Sequence, residues 1–121
     1  MNQHEKLNYV EIPAKDIPAT KTFFETAFGW RFEDYGPDYT TFYSAESGLD
    51  GGFFKSDLVV SADNGSIIVI FYSQELDGTQ AKVESAGGKI IRETFEFPGG
   101  RRFHFTDPSG NEFAVWSDDQ L

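Results

Sequence analysis

The strongest constraint on this chain is that one pattern of strand, helix and strand occurs in it twice. Laying Gly29-Trp30-Arg31-Phe32 on Gly87-Gly88-Lys89-Ile90 sets the two halves about 58 residues apart with the order of elements kept. In the first half, residues 7–13 (LNYVEIP) alternate as a strand, with Val10 and Ile12 on one face and Tyr9, Glu11 and Pro13 on the other. Asp16 is a fitting N-cap and Pro18 suits a first turn. Ala19, Phe23, Ala27 and Phe28 then recur at helical spacing, so a helix is predicted over 18–28, stopped by Gly29. Short strands follow at 30–35, 40–45 and 51–54, separated by turn clusters at 36–38 and 47–52.

A polar break at 61–65 precedes the second half. Residues 66–73 (SIIVIFYS) read as a buried strand and 76–86 as an amphipathic helix ended by Gly87-Gly88; 89–94 read as a strand, and Pro98-Gly99-Gly100 as a turn. The half closes on FHFTDPSGNEFAVW, residues 103–116. Here Asp107-Pro108-Ser109-Gly110 has the residues of a type I turn, and alternating runs flank it. Phe103, Phe105, Phe113 and Val115 form a greasy face. Arg102, His104 and Thr106, with Glu112, Ala114 and Trp116, form an opposite face that suits the wall of a ligand cavity, or else is solvated or fills a barrel interior. The expected fold is α+β: one domain over 1–121, built of two tandem βαβββ modules, about 5–60 and 65–118, as a curved mixed sheet around a cleft.

Composition narrows the class. The 13 Phe, 5 Tyr and 2 Trp supply a bulky core, and the absence of cysteine excludes disulfides, thiolate metal sites and a cysteine nucleophile. A formal charge of -10 argues against nucleic acid or an anionic membrane as partner; it suits a cationic ligand or simply confers solubility. No apolar run approaches the ~20 residues of a membrane span, and the first residues carry no signal-peptide pattern, so a cytoplasmic protein is expected.

The opening strand LNYVEIPAKD, the helix ATKTFFETAFGW, the second helix LDGTQAKVESAGGKI and the hairpin FTDPSGNEFAVW together resemble the vicinal oxygen chelate superfamily. It includes glyoxalase I, extradiol dioxygenases, and fosfomycin- and bleomycin-resistance proteins. The resemblance implies a glyoxalase/bleomycin resistance fold and, in metal-dependent members, one divalent ion held by His, Gln or Glu from both modules. The corresponding positions here fall on Tyr9, residues 51–53, Ser66 to Ile68, and Ala114, none of which offers a usual ligand. What the resemblance then implies is the cleft without the ion, as in bleomycin-resistance proteins, which are non-enzymatic binders and usually dimers.

The expected contacts to a small organic ligand, cationic or aromatic, are Tyr9, Glu11, Arg102, His104, Glu112 and Trp116, with no cofactor. Tyr9 and Trp116 are expected in one cleft, and His104 with Glu11 would make an acid/base pair. Arg101-Arg102 would bind an anionic group or flank Glu93 or Glu96; His4 is solvated. One rival reading is a metal-dependent lyase, isomerase or dioxygenase, with an ion rescued by His104, Glu11 and Glu112. The other is a non-catalytic regulatory or subunit module.

Overall fold

The computed structural model describes residues 2–118. The elements run β1 (Tyr9–Ala14), α1 (Ile17–Phe28), β2 (Phe32–Asp34), β3 (Tyr39–Phe42), α2 (Ser44–Ser47), β4 (Asp50–Lys55), a 3-10 turn (Ala62–Asn64), β5 (Val69–Tyr72), α3 (Leu76–Ser85), β6 (Lys89–Phe97), β7 (Gly100–Thr106) and β8 (Glu112–Ser117). Two mixed four-stranded sheets result. Sheet A has the order β1-β4-β3-β2 and sheet B β5-β8-β7-β6; in each, the module's first strand pairs parallel with its last, and the remaining pairs are antiparallel. This is the expected α+β pair of βαβββ modules.

Local chemistry fixes α1 where the sequence put it. The Asp16 carboxylate accepts the Ala19 N–H at 3.0 Å, and Gly29 closes the helix in the left-handed region at φ 72°. The helix then buries Phe23, Phe24 and Ala27. The Phe24 ring lies 5.5 Å from Phe53 of sheet A and 5.4 Å from Phe113 of sheet B, while Phe23 meets Phe105 at 5.9 Å and Phe28 stacks on Phe71 at 4.6 Å. Helix α1 therefore sits between the two sheets. One core joins both modules through it, and α3 adds Leu76 and Val83 to the same layer. Burial of each such side chain contributes ~2–3 kcal/mol.

The second-half strand differs from its expectation. Only Val69–Tyr72 pair, at the edge of sheet B, and Ile67, Ile70 and Tyr72 are exposed rather than buried. β-branched composition marks a strand but not its neighbours, and here one edge has no strand beside it among the described residues. The expected strand at 40–45 ends at Phe42, because residues 44–47 wind into α2 with Gly48 as cap. The strand at 89–94 continues to Phe97, and that at 30–35 shrinks to Phe32–Asp34.

Candidate functional site

The Asp-Pro-Ser-Gly-Asn turn is a latch. The Asp107 carboxylate accepts the N–H groups of Ser109 (3.0 Å) and Asn111 (2.9 Å), closing the β7–β8 hairpin. The Asn111 side chain accepts the Val60 N–H at 2.8 Å and donates to the Pro13 carbonyl, which fastens the inter-module linker and the end of β1 to β8. Burial pushes the Asp107 carboxyl up to about 6, against the opposing pull of the Asn111, Ser109 and Gly110 N–H groups.

The latch sets the β7–β8 register, which opposes Arg102 to Trp116, His104 to Ala114 and Thr106 to Glu112 on the sheet B face turned away from α1. There His104 Nδ1 meets Glu112 Oε2 at 2.7 Å, and Arg102 Nε donates to His104 Nε2 at 3.2 Å. With Nε2 accepting, the imidazole is neutral and its Nδ1–H donates to the carboxylate. The other Glu112 oxygen accepts the Ala62 N–H at 2.9 Å. Burial raises the Glu112 carboxyl, but the Ala62 N–H, the His104 hydrogen bond and the Arg92 charge outweigh it and hold the group below its ordinary value. His104 and Glu112 are almost wholly enclosed, so they orient Arg102 from beneath.

Strand β6 completes this face by an irregularity. Ile90 pairs with Phe105, Arg92 with His104 and Phe95 with Arg102, so β6 spends an extra residue at each of two bulges. Arg92 and Phe95 thereby share the face of His104 and Arg102. The Phe95 ring stacks on His104 at 6.0 Å, with the Arg92 guanidinium 3.9 Å and the Arg102 guanidinium 5.9 Å from its centre. Trp116 stands beside Arg102, edge-on to Tyr72 at 5.0 Å and 6.2 Å from Phe97.

Four of the six expected residues, Arg102, His104, Glu112 and Trp116, thus meet on one face. Tyr9 and Glu11 do not join them. They lie on the face of sheet A turned away from α1, where Tyr39 bonds Tyr9 (2.6 Å, hydroxyl to hydroxyl) and donates to Glu11 (2.9 Å). Gly52 makes this possible, since a Cβ there would stand 2.3 Å from the Tyr39 hydroxyl. The expected pairing of His104 with Glu11 is corrected: each carboxylate serves its own sheet, because α1 holds the two faces apart. Burial and the two hydrogen-bonding neighbours push the Tyr39 hydroxyl upward. Arg101 and Arg102 also part company, Arg101 turning inward to Asp77 at 3.5 Å. His4 is solvated beside Glu5, as expected.

A groove of about 870 Å³ opens between the β1 and β5 edges, walled by Tyr9, Phe28, Trp30, Phe42, Phe71 and Tyr72. Only Tyr9 of the expected set reaches it. Parity alone finds residues of one strand face, so it missed Tyr39, Arg92 and Phe95, whose positions depend on a glycine gap and two bulges.

The family's divalent ion does not fit these residues. Ala114 is a floor of sheet B, the Tyr9 hydroxyl is engaged by Tyr39, and both ring nitrogens of His104 are occupied. Among the described residues no three His, Asp or Glu side chains are placed to hold an ion.

Comparison with known proteins agrees with this architecture. The anthracycline biosynthesis protein DauV of Streptomyces sp. (strain C5) is 30% identical over 124 residues, which cover 89% of this chain and 45% of DauV. Its counterpart DnrV of Streptomyces peucetius is 29% identical with the same coverage. The chain thus spans about half the length of the curated relatives it matches. Among solved structures, a glyoxalase-related enzyme from Fulvimarina pelagi superposes with a TM-score of 0.76 at 15% identity, over 93% of this chain and 88% of that one. The fosfomycin resistance protein FosX from Listeria monocytogenes does so with 0.75 at 18% identity, over 98% and 97%. These two likenesses concern the fold alone. The family model described as Glyoxalase/Bleomycin resistance protein/Dioxygenase superfamily matches residues 6–115, and the chain belongs to that superfamily.

Proposed function

We propose that this protein binds a small organic molecule, without a metal, on the face of sheet B that carries Arg102, His104, Glu112 and Trp116. The observation that carries this reading is the convergence there of two guanidinium groups and four aromatic side chains, above a buried His–Glu pair that holds one of the guanidiniums in place. A face that spends a buried carboxylate, through His104, on orienting a surface arginine is organised for recognition. The opposite wall comes from a second copy. Within one chain the Tyr9–Tyr39–Glu11 cluster is turned to the other side of α1, so a homodimer is what would lay it over the Trp116 face. The names of the curated relatives, in anthracycline biosynthesis, support a planar aromatic ligand. A metal-dependent reaction finds no support in the donor set.

The test is a fluorescence and calorimetric titration of chelator-treated protein with a panel of anthraquinones. Trp30 walls the groove and Trp116 the sheet B face, so an emission change that survives in Trp30→Phe reports on Trp116. Saturable binding that is unchanged by chelator and is lost in Trp116→Ala supports the reading. Binding that appears only after Ni²⁺, Zn²⁺, Mn²⁺ or Fe²⁺ is added overturns metal independence.

A further inference from the structure

We infer that the ligand of this face carries an anionic group on its aromatic frame, a carboxylate or an acidic phenol, received by Arg92 and Arg102; the inference rests on the small-molecule reading above. The net charge of -10 argues for a cationic ligand, but the local arrangement argues the reverse. Guanidiniums in so acidic a chain ordinarily find a carboxylate, as the exposed Arg31 does in Glu46 and the buried Arg101 in Asp77. Among the described residues, neither Arg92 nor Arg102 has one within ion-pair distance. The acid whose charge Arg92 feels, Glu112, has its two oxygens committed to the Ala62 N–H and to His104. Counting two guanidiniums, one carboxylate and a neutral imidazole, the cluster keeps one positive charge in excess. Screening over ~8 Å at physiological salt makes this local balance, and not the whole-chain charge, what a docked group experiences.

The geometry also fixes how the arginines are presented. Arg102 spends its Nε on His104, which leaves its two terminal amines without a hydrogen-bonding partner among the described residues. A guanidinium held at Nε is pre-organised for the two parallel hydrogen bonds that a carboxylate offers. Arg92 is held by the Phe95 ring 3.9 Å away, has no hydrogen-bonding partner among the described residues, and so remains able to close on the same anion. The Trp116 ring beside Arg102 is a shelf for a flat frame.

The experiment compares anthraquinone-2-carboxylate, its neutral carboxamide and a trimethylammonium anthraquinone on wild-type protein, R92Q, R102Q and the double variant. Far-UV circular dichroism and thermal melts verify folding. The carboxylate should bind at least about tenfold more tightly than the carboxamide, the value of roughly one charge-assisted contact. That preference should weaken with added salt and shrink to within about twofold in the double variant, with carboxamide affinity kept. Equal binding of carboxylate and carboxamide, or preference for the cation, overturns the anionic inference and leaves the binding site standing. If no anthraquinone binds at all, both readings fall together.

Discussion

His104 is the residue on which the site depends. It donates to a buried carboxylate and accepts from a surface guanidinium, so His104→Ala removes both contacts at once and leaves Glu112 enclosed without one of its donors. A loss of ~2–3 kcal/mol in urea denaturation is expected, together with loss of the carboxylate preference, because Arg102 is no longer held. The two buried carboxylates act on stability in opposite directions with pH. Glu112 is held below its ordinary value, so its contribution is present at neutral pH and is lost as pH falls through its folded pKa, below the ~4.3 of an unfolded glutamate. Asp107, raised to about 6, is the reverse: its folded state keeps the proton that the unfolded chain releases, so stability is lost as pH rises from ~4 through 6. Asparagine at 107 still accepts from the Ser109 and Asn111 N–H groups and has no proton to lose. Urea midpoints measured from pH 4 to 7 should therefore decline across that window in the wild type and stay flat in Asp107→Asn; parallel profiles would remove Asp107 as the source.

At the scale of elements, strand irregularities make the site. Had β6 paired with β7 without bulges, Arg92 and Phe95 would point to opposite faces, as residues three apart in a regular strand do. The bulge between them inserts one residue and returns them to the same side, and the bulge before Arg92 sets that side as the one of His104 and Arg102. The alternation of β7 and β8 was legible in the sequence because the Asp-Pro-Ser-Gly-Asn turn pins their register, and Arg102, His104, Glu112 and Trp116 fell on one face as their parity required. No such turn pins β6 along its length, which explains why its contribution was not legible. Close approach of backbones is equally local. A Cβ on Gly100 would stand 2.1 Å from the Ser117 carbonyl oxygen, so Gly100→Ala should push β7 from β8 and lower the melting temperature by roughly 8 °C or more, for a cost of about 2 kcal/mol. Gly52→Ala should act differently, moving the Tyr39 side chain off Tyr9 and Glu11 and altering tyrosine near-UV dichroism.

For the whole molecule, the open β1 and β5 edges and the exposed Leu7, Ile67, Ile70 and Tyr72 around the groove are the surface on which a second copy would close. Light scattering coupled to size exclusion should return twice the chain mass, and Ile67→Asp should return the monomer; a wild-type monomer at micromolar concentration would rule the dimer out. Much of this protein is determined by its sequence alone. The repeated βαβββ order, the capped α1 and the hairpin follow from apolar periodicity, capping residues and turn chemistry, all of which act over a few residues of chain. Which faces those elements turn toward each other is decided only by tertiary packing. The Phe24 ring finds Phe53 and Phe113 at once and so sets α1 between the sheets; that single arrangement sends Tyr9 and Glu11 to one side of the molecule and His104 and Trp116 to the other. No local rule carries that information, because the contacts that fix it join residues as far apart in the chain as Phe24 and Phe113, and their stabilisation exists only once both modules are formed.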